Sequence, residues 1–100
     1  MVSWRVDRYV LDTLLRDIVG HDKRPLAYVV YLHLWSRTHA VGGKGVRASH
    51  QNIADETLLS RSAVQAAIRV LTRRRLLRSE RPSRTGVPEH FPLRPWLRRG

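Results

Sequence analysis

Residues 49–77, SHQNIADETLLSRSAVQAAIRVLTRRRLL, hold two helical periodicities separated by a gap that leaves room only for a tight turn. The second periodicity is the stronger. Ser60 is placed to cap it, its hydroxyl accepting from an amide that a helix start leaves without a partner. Val64, Ala67, Ile68 and Leu71 recur at three- and four-residue steps and so share one face. Arg61, Gln65, Arg69 and Arg73 lie four apart and form a second line, which carries cations and an amide but no carboxylate. Arg73 and Arg74 fall where the helix dipole favours positive charge. In the shorter first helix Ser49 is the cap, Ile53 and Ala54 face inward, and Asp55 and Glu56 face out. The small side chain of Ala54 allows the next helix to cross closely, and Leu58 and Leu59 are expected to bury the turn.

Two helices joined this way at a steep crossing make a helix-turn-helix, whose second helix enters the DNA major groove. Residues 51–77 further resemble the winged helix-turn-helix DNA-binding family. That family's run is an Ile-Ala pair, a Gly-Leu-Ser turn, a Ser/Arg-rich start to the recognition helix, and a Leu-Ile strand. Here these positions read Ile53-Ala54, Leu58-Leu59-Ser60, Arg61-Ser62-Ala63-Val64-Gln65 and Leu76-Leu77. The chain departs from the pattern at Leu58, where the turn glycine is usual, and at Arg75, where a helix-ending glycine is common. Residues other than glycine are strained in the left-handed conformation. The expectation is therefore a differently shaped turn, or a helix ending one residue later.

One hundred residues suffice for one domain with a single core. The net charge of +11 is unevenly spread: residues 57–84 contain eight arginines and one acid, Glu80. Solubility alone does not require such clustering. Seventeen of the nineteen cations are arginine, which high-GC coding also produces, so arginine content by itself decides little. There is no cysteine, which excludes disulfides and thiolate metal sites. No apolar run approaches a membrane span, and the start, MVSWRVDRYV, lacks the order of a signal peptide. A cytoplasmic protein with no membrane partner is expected.

The flanking elements follow the same plan. Residues 6–20 read as an amphipathic helix with the stripe Val10, Leu11, Leu14, Leu15 and Ile18, stopped at Gly20. It either covers the core or lends its edge (Trp4, Val6, Tyr9) to a homodimer. Asp22 is placed to cap a helix over 25–39 with Pro25 in its first turn. That helix is apolar nearly all round and reads as the central scaffold. Residues 40–45, AVGGKG, lack phosphate-loop spacing and read as a plain loop. Residues 46–48 read as a short strand before the helices at 49–57 and 60–75. Two strands around a Pro/Gly/Ser loop make a hairpin over 76–93, the wing, and Pro92 places its strand at a sheet edge. In the tail, 94–100, Trp96 and Leu97 are placed to anchor the chain. The fold class is mostly α with a small β-hairpin: a winged helix-turn-helix with an extra N-terminal helix.

No catalytic constellation is found. His33 and His39 are six apart with no carboxylate to pair with. Ser60 and Ser62 lie outside any nucleophile elbow, and the eight acids are scattered. Neither an enzyme nor a cofactor is expected. The expected partner is double-stranded DNA. Arg61, Ser62, Gln65 and Arg69 would meet base edges, arginine pairing with guanine and glutamine with adenine. Ser60, Arg73, Arg74, Arg78, Arg81 and Arg84 would hold phosphates. With about five phosphates neutralised, the log–log salt slope would be roughly −4 to −5. Three roles fit: a transcriptional regulator, most simply a dimer; the DNA-binding domain of a plasmid or phage replication initiator or partition protein; or a winged-helix protein-interaction module.

Overall fold

The computed structural model describes residues 6–40, 45–84 and 86–97. Along the chain lie an N-terminal π-helix (Val10–His21), α1 (Pro25–Ala40), β1 (Val46–Arg47), α2 (His50–Thr57), α3 (Arg61–Arg73), β2 (Leu77–Glu80) and β3 (Glu89–Pro92). A 3-10 turn, Pro95–Leu97, follows. The strands form one antiparallel sheet in the order β1-β3-β2. This is the winged helix-turn-helix arrangement, with β2 and β3 as the arms of the wing and one helix added in front.

The core is built around α1. Ala27, Tyr28, Val30, Tyr31, Leu34 and Trp35 are all buried in it. They meet Val10, Leu14 and Ile18 of the π-helix, Ile53 and Ala54 of α2, and Val64, Ala67, Ile68 and Leu71 of α3. Buried polar atoms are tied in: the Tyr28 hydroxyl donates to the Val10 carbonyl at 2.9 Å, and that of Tyr31 to the Leu93 carbonyl at 2.8 Å. Burial pushes the Tyr31 phenol well above its ordinary pKa, with the Asp7 carboxylate adding to the shift. It is a fixed hydroxyl donor.

The N-terminal helix differs from expectation in winding and extent. Its bonds close five residues back, as where the Asp22 amide meets the Asp17 carbonyl at 2.8 Å. It also runs past Gly20 to His21. Val10, Leu14 and Ile18, at four-residue steps, are buried over the core, whereas Leu11 and Leu15 are 50% and 40% exposed. Asp22 does not cap α1. The first α1 amides bond to the Arg24 carbonyl, and the Asp22 carboxylate pairs with Arg74 Nε at 2.9 Å.

Both places where glycine is usual are left-handed here: Leu58 has φ 60° and Arg75 φ 61°. The turn keeps its ordinary shape and α3 ends on time, each with a strained residue at the bend. Leu58 does not bury the turn, being 91% exposed; Leu59 alone packs against the core.

Pro92 ends the central strand instead of lying at a sheet edge. The Leu93 amide points to β2, donating to the Leu76 carbonyl at 2.9 Å. Position 92 therefore faces the β1 side, and β1 reaches only as far as His90. Proline needs no donor there. Where the loop enters the sheet, Gly45 lies against the side chains of Phe91 and Glu89, and a Cβ there would come within 2.6 Å of each and oblige them to move.

Candidate nucleic-acid interface

The start of α2, the outer side of α3 and the wing build the candidate face. A reciprocal cap fixes α2: Ser49 Oγ accepts from the Asn52 amide at 3.0 Å, and Asn52 Oδ1 accepts from the Ser49 amide at 3.2 Å. At the start of α3, Ser60 Oγ accepts from the Ala63 amide at 3.1 Å. That hydroxyl also lies 3.3 Å from Ser62 Oγ. The cap occupies an acceptor site on Ser60 and leaves its O–H to donate outward.

With Val64, Ala67, Ile68 and Leu71 buried, helical geometry makes Ser62, Ala66, Arg69 and Arg73 the outermost line of α3. Arg61 and Gln65 flank that line on one side, Ala63 and Val70 on the other. Arg61, Ser62, Arg69 and Arg73 are exposed and Gln65 is half-buried. All four residues expected at base edges thus lie on one continuous surface, with Gln65 towards its margin.

The arginines divide into two groups. Arg61, Arg69, Arg73 and Arg84 have no carboxylate partner among the described residues. Arg74 is held by Asp22. Arg78 pairs with Glu80 and stacks on the Phe91 ring with its guanidinium carbon 4.2 Å from the centroid. Arg81 donates to the Gly86 carbonyl at 3.1 Å, across the bend of the wing. The wing loop beyond it carries Arg84, which is exposed; Thr85 lies outside the described residues.

Two histidines belong to this region although sequence reasoning gave them no role. His90 is buried in β3. Its Nε2–H donates to the Ala48 carbonyl at 3.0 Å, and Nδ1 accepts from the Ser79 hydroxyl at 2.7 Å. It therefore ties together both neighbours of the central strand as a neutral ring. Burial is the main cause lowering its pKa; the Ala48 bond acts in the opposite direction, and His50 and Arg81 lower it further. His50, the first residue of α2, stacks on it at 6.4 Å. The His50 pKa is lowered first by burial, then by the charges of Arg61 and Arg81. The starts of α2 and α3 and the base of the wing thus share one positive field. The signal for His50 was its place next to the Ser49 cap; its neighbours come only from tertiary folding.

Other expected sites resolve differently. His33 does meet a carboxylate, its Nε2 lying 2.9 Å from Glu56 Oε1. Arg37 reaches the same carboxylate at 3.7 Å, so Glu56 clamps α2 to α1. Among the described residues no group of three metal-ligating side chains gathers. Of the edge expected to meet a second subunit, Tyr9 stacks on Trp96 of its own chain at 4.6 Å, Val6 packs against the core, and Trp4 lies outside the described residues. Trp96 Nε1 also donates to Asp7 at 2.9 Å, which anchors the tail as expected. Leu97 is 54% exposed and anchors nothing. No described helix is long and apolar enough to cross a membrane.

Comparison with protein-family models, with curated proteins and with solved structures finds no match for this chain.

Proposed function

We propose that this chain binds double-stranded DNA sequence-specifically, as a small transcriptional regulator with α3 in the major groove. The observation that carries the reading is the outer side of α3. Its arginines Arg61, Arg69 and Arg73 have no carboxylate partner among the described residues, while nearby Arg74 and Arg78 are neutralised. An acid-free cationic helix face beside a hairpin bearing further arginines matches the charge and width of a major groove with its flanking phosphates.

The roles follow from reach and hydrogen-bonding capacity. Arg61 and Arg69 present bidentate forks suited to guanine, Gln65 an amide suited to adenine, and Ser62 a hydroxyl suited to either. The Ser60 hydroxyl and Arg73 hold phosphates on either side, and Arg84 holds one from the wing. Arg81 fixes the wing loop and reinforces the field. One such module buries too little surface for high specificity, so two copies on adjacent half-sites are the working form.

Selection of the purified chain on a randomised duplex pool, sequenced at two salt concentrations, tests this. The reading expects an enriched motif whose guanine positions degrade with Arg69→Ala. Salt-sensitive binding with no enrichment would reduce the function to non-specific association, and no binding at low salt would remove DNA as the partner.

A further inference from the structure

Leu58 and the groove between α1 and α3 are two unmatched apolar features of complementary shape and charge. Leu58 projects from the α2–α3 turn, 91% exposed, in a left-handed conformation with φ 60°. It is strained and solvated at once, at a place where glycine would be neither. Asp55 lies just before it on α2 and is exposed, whereas the neighbouring Glu56 is taken by His33 and Arg37 of its own chain. The groove is a cavity of about 250 Å³. Ala27 and Ala67 form its floor and Leu26, Ala66 and Val70 its walls, with Lys23 and Arg24 on the rim. The space admits the four carbons of a leucine side chain. An apolar knob beside one exposed acid, Asp55, thus has its counterpart in an apolar groove edged by the cations Lys23 and Arg24.

We propose that Leu58 of one copy of this chain inserts into the α1–α3 groove of another, with Asp55 of the first facing Lys23 and Arg24 of the second. A knob and a pocket on different parts of one surface make a contact between copies that a single chain cannot satisfy internally. The chain's own described ends do not compete, because Asp7 and Trp96 are bonded together at the opposite end of the N-terminal helix from Lys23 and Arg24. Burial of one leucine with a rim of opposed charges is a modest contact, so self-association of the free chain is expected only towards roughly millimolar concentration. The pairing does not depend on DNA binding, so its test is made without DNA.

Two complementary variants decide it. Leu58→Gly removes the knob and relieves the left-handed strain, and Ala66→Arg blocks the groove from a helical site that tolerates arginine. Sedimentation equilibrium over a concentration series reads self-association, and amide chemical shifts in each variant report that the fold is kept. The wild-type chain is expected to self-associate. Each variant alone should associate about tenfold to hundredfold more weakly, the worth of one buried leucine. The 1:1 mixture should recover a heterodimer, since one partner keeps a groove and the other a knob. Arg24→Glu should weaken the wild-type association, and Asp55→Arg added to it should restore it. A wild-type chain monomeric to millimolar concentration, a Leu58→Gly chain that associates as wild type, or a mixture that stays monomeric would each overturn the proposal.

Discussion

Leu58 and Arg75 sit in the left-handed region at φ 60° and 61°, a conformation costing a residue with a Cβ about 1–2 kcal/mol. Both side chains are exposed, so replacing them loses little burial. Glycine relieves the strain but adds roughly 0.5–1 kcal/mol of unfolded-state freedom. Leu58→Gly and Arg75→Gly should therefore each stabilise the fold by about 0.5–1 kcal/mol. A raised urea midpoint at unchanged slope is the expected reading, and a lowered midpoint would mean that one of these side chains makes a contact that matters. At His90 the prediction concerns pH. Its folded pKa is lowered by burial, so as pH falls through the ordinary value of about 6.5 the unfolded chain takes up the proton first. Stability is then full above that value and declines below it, towards the folded pKa. His90→Gln, which retains an acceptor and a donor, should flatten the loss of urea midpoint between pH 7.5 and 5.5; an unchanged pH slope would place the titration elsewhere. Neither histidine role could be read from the sequence, because Ala48, Ser79 and Arg81 become neighbours only when β1 and β2 close on β3.

At the scale of elements, the helix-turn-helix was legible because its signals are local. The Ser49 and Ser60 caps, the Val64–Ala67–Ile68–Leu71 face and the Pro/Gly-rich wing each depend on residues within a few positions. Removing the reciprocal cap with Ser49→Ala should cost about 1 kcal/mol, read as a lowered urea midpoint. The illegible parts were set by partners distant in sequence. Asp22 looked like a cap because Pro25 follows it, but Arg74 takes its carboxylate. Pro92 looked like an edge residue because proline lacks a donor; the shortness of β1 creates a local edge within the central strand. The stripe that included Leu11 and Leu15 was drawn too wide, since only Val10, Leu14 and Ile18 of it meet the core. On α3, Arg69→Ala should cost roughly 1–3 kcal/mol at a preferred DNA site and relax specificity at one base pair. Competition binding against single-position variants of the selected site measures this, and an unchanged preference would take Arg69 out of the base-reading set.

Over the whole molecule, part of the positive charge is paired, through Asp7–Arg94, Glu56–Arg37 and Asp22–Arg74. Arg61, Arg69 and Arg73 of α3 and Arg84 of the wing have no carboxylate partner among the described residues, as is also true of Arg16, Lys23, Arg24, Arg47 and Arg75 elsewhere. Sequence alone showed the excess of arginine over residues 57–84 but not which are paired; if Arg74 and Arg78 stay with Asp22 and Glu80 on binding, the phosphate count falls. A log–log salt slope of roughly −3 to −4, rather than −4 to −5, follows for one copy on one site. Arg84→Ala should reduce the slope by about 1 while leaving the preferred sequence unchanged. The most direct test of the central claim is to titrate duplex DNA into the isotopically labelled chain and map amide shifts residue by residue. The account predicts the largest changes at Arg61, Ser62, Gln65 and Arg69, with a second group in the wing at 81–86 and little at the N-terminal helix. Shifts centred on the N-terminal helix or the exposed side of α1, or none at low salt, would contradict it.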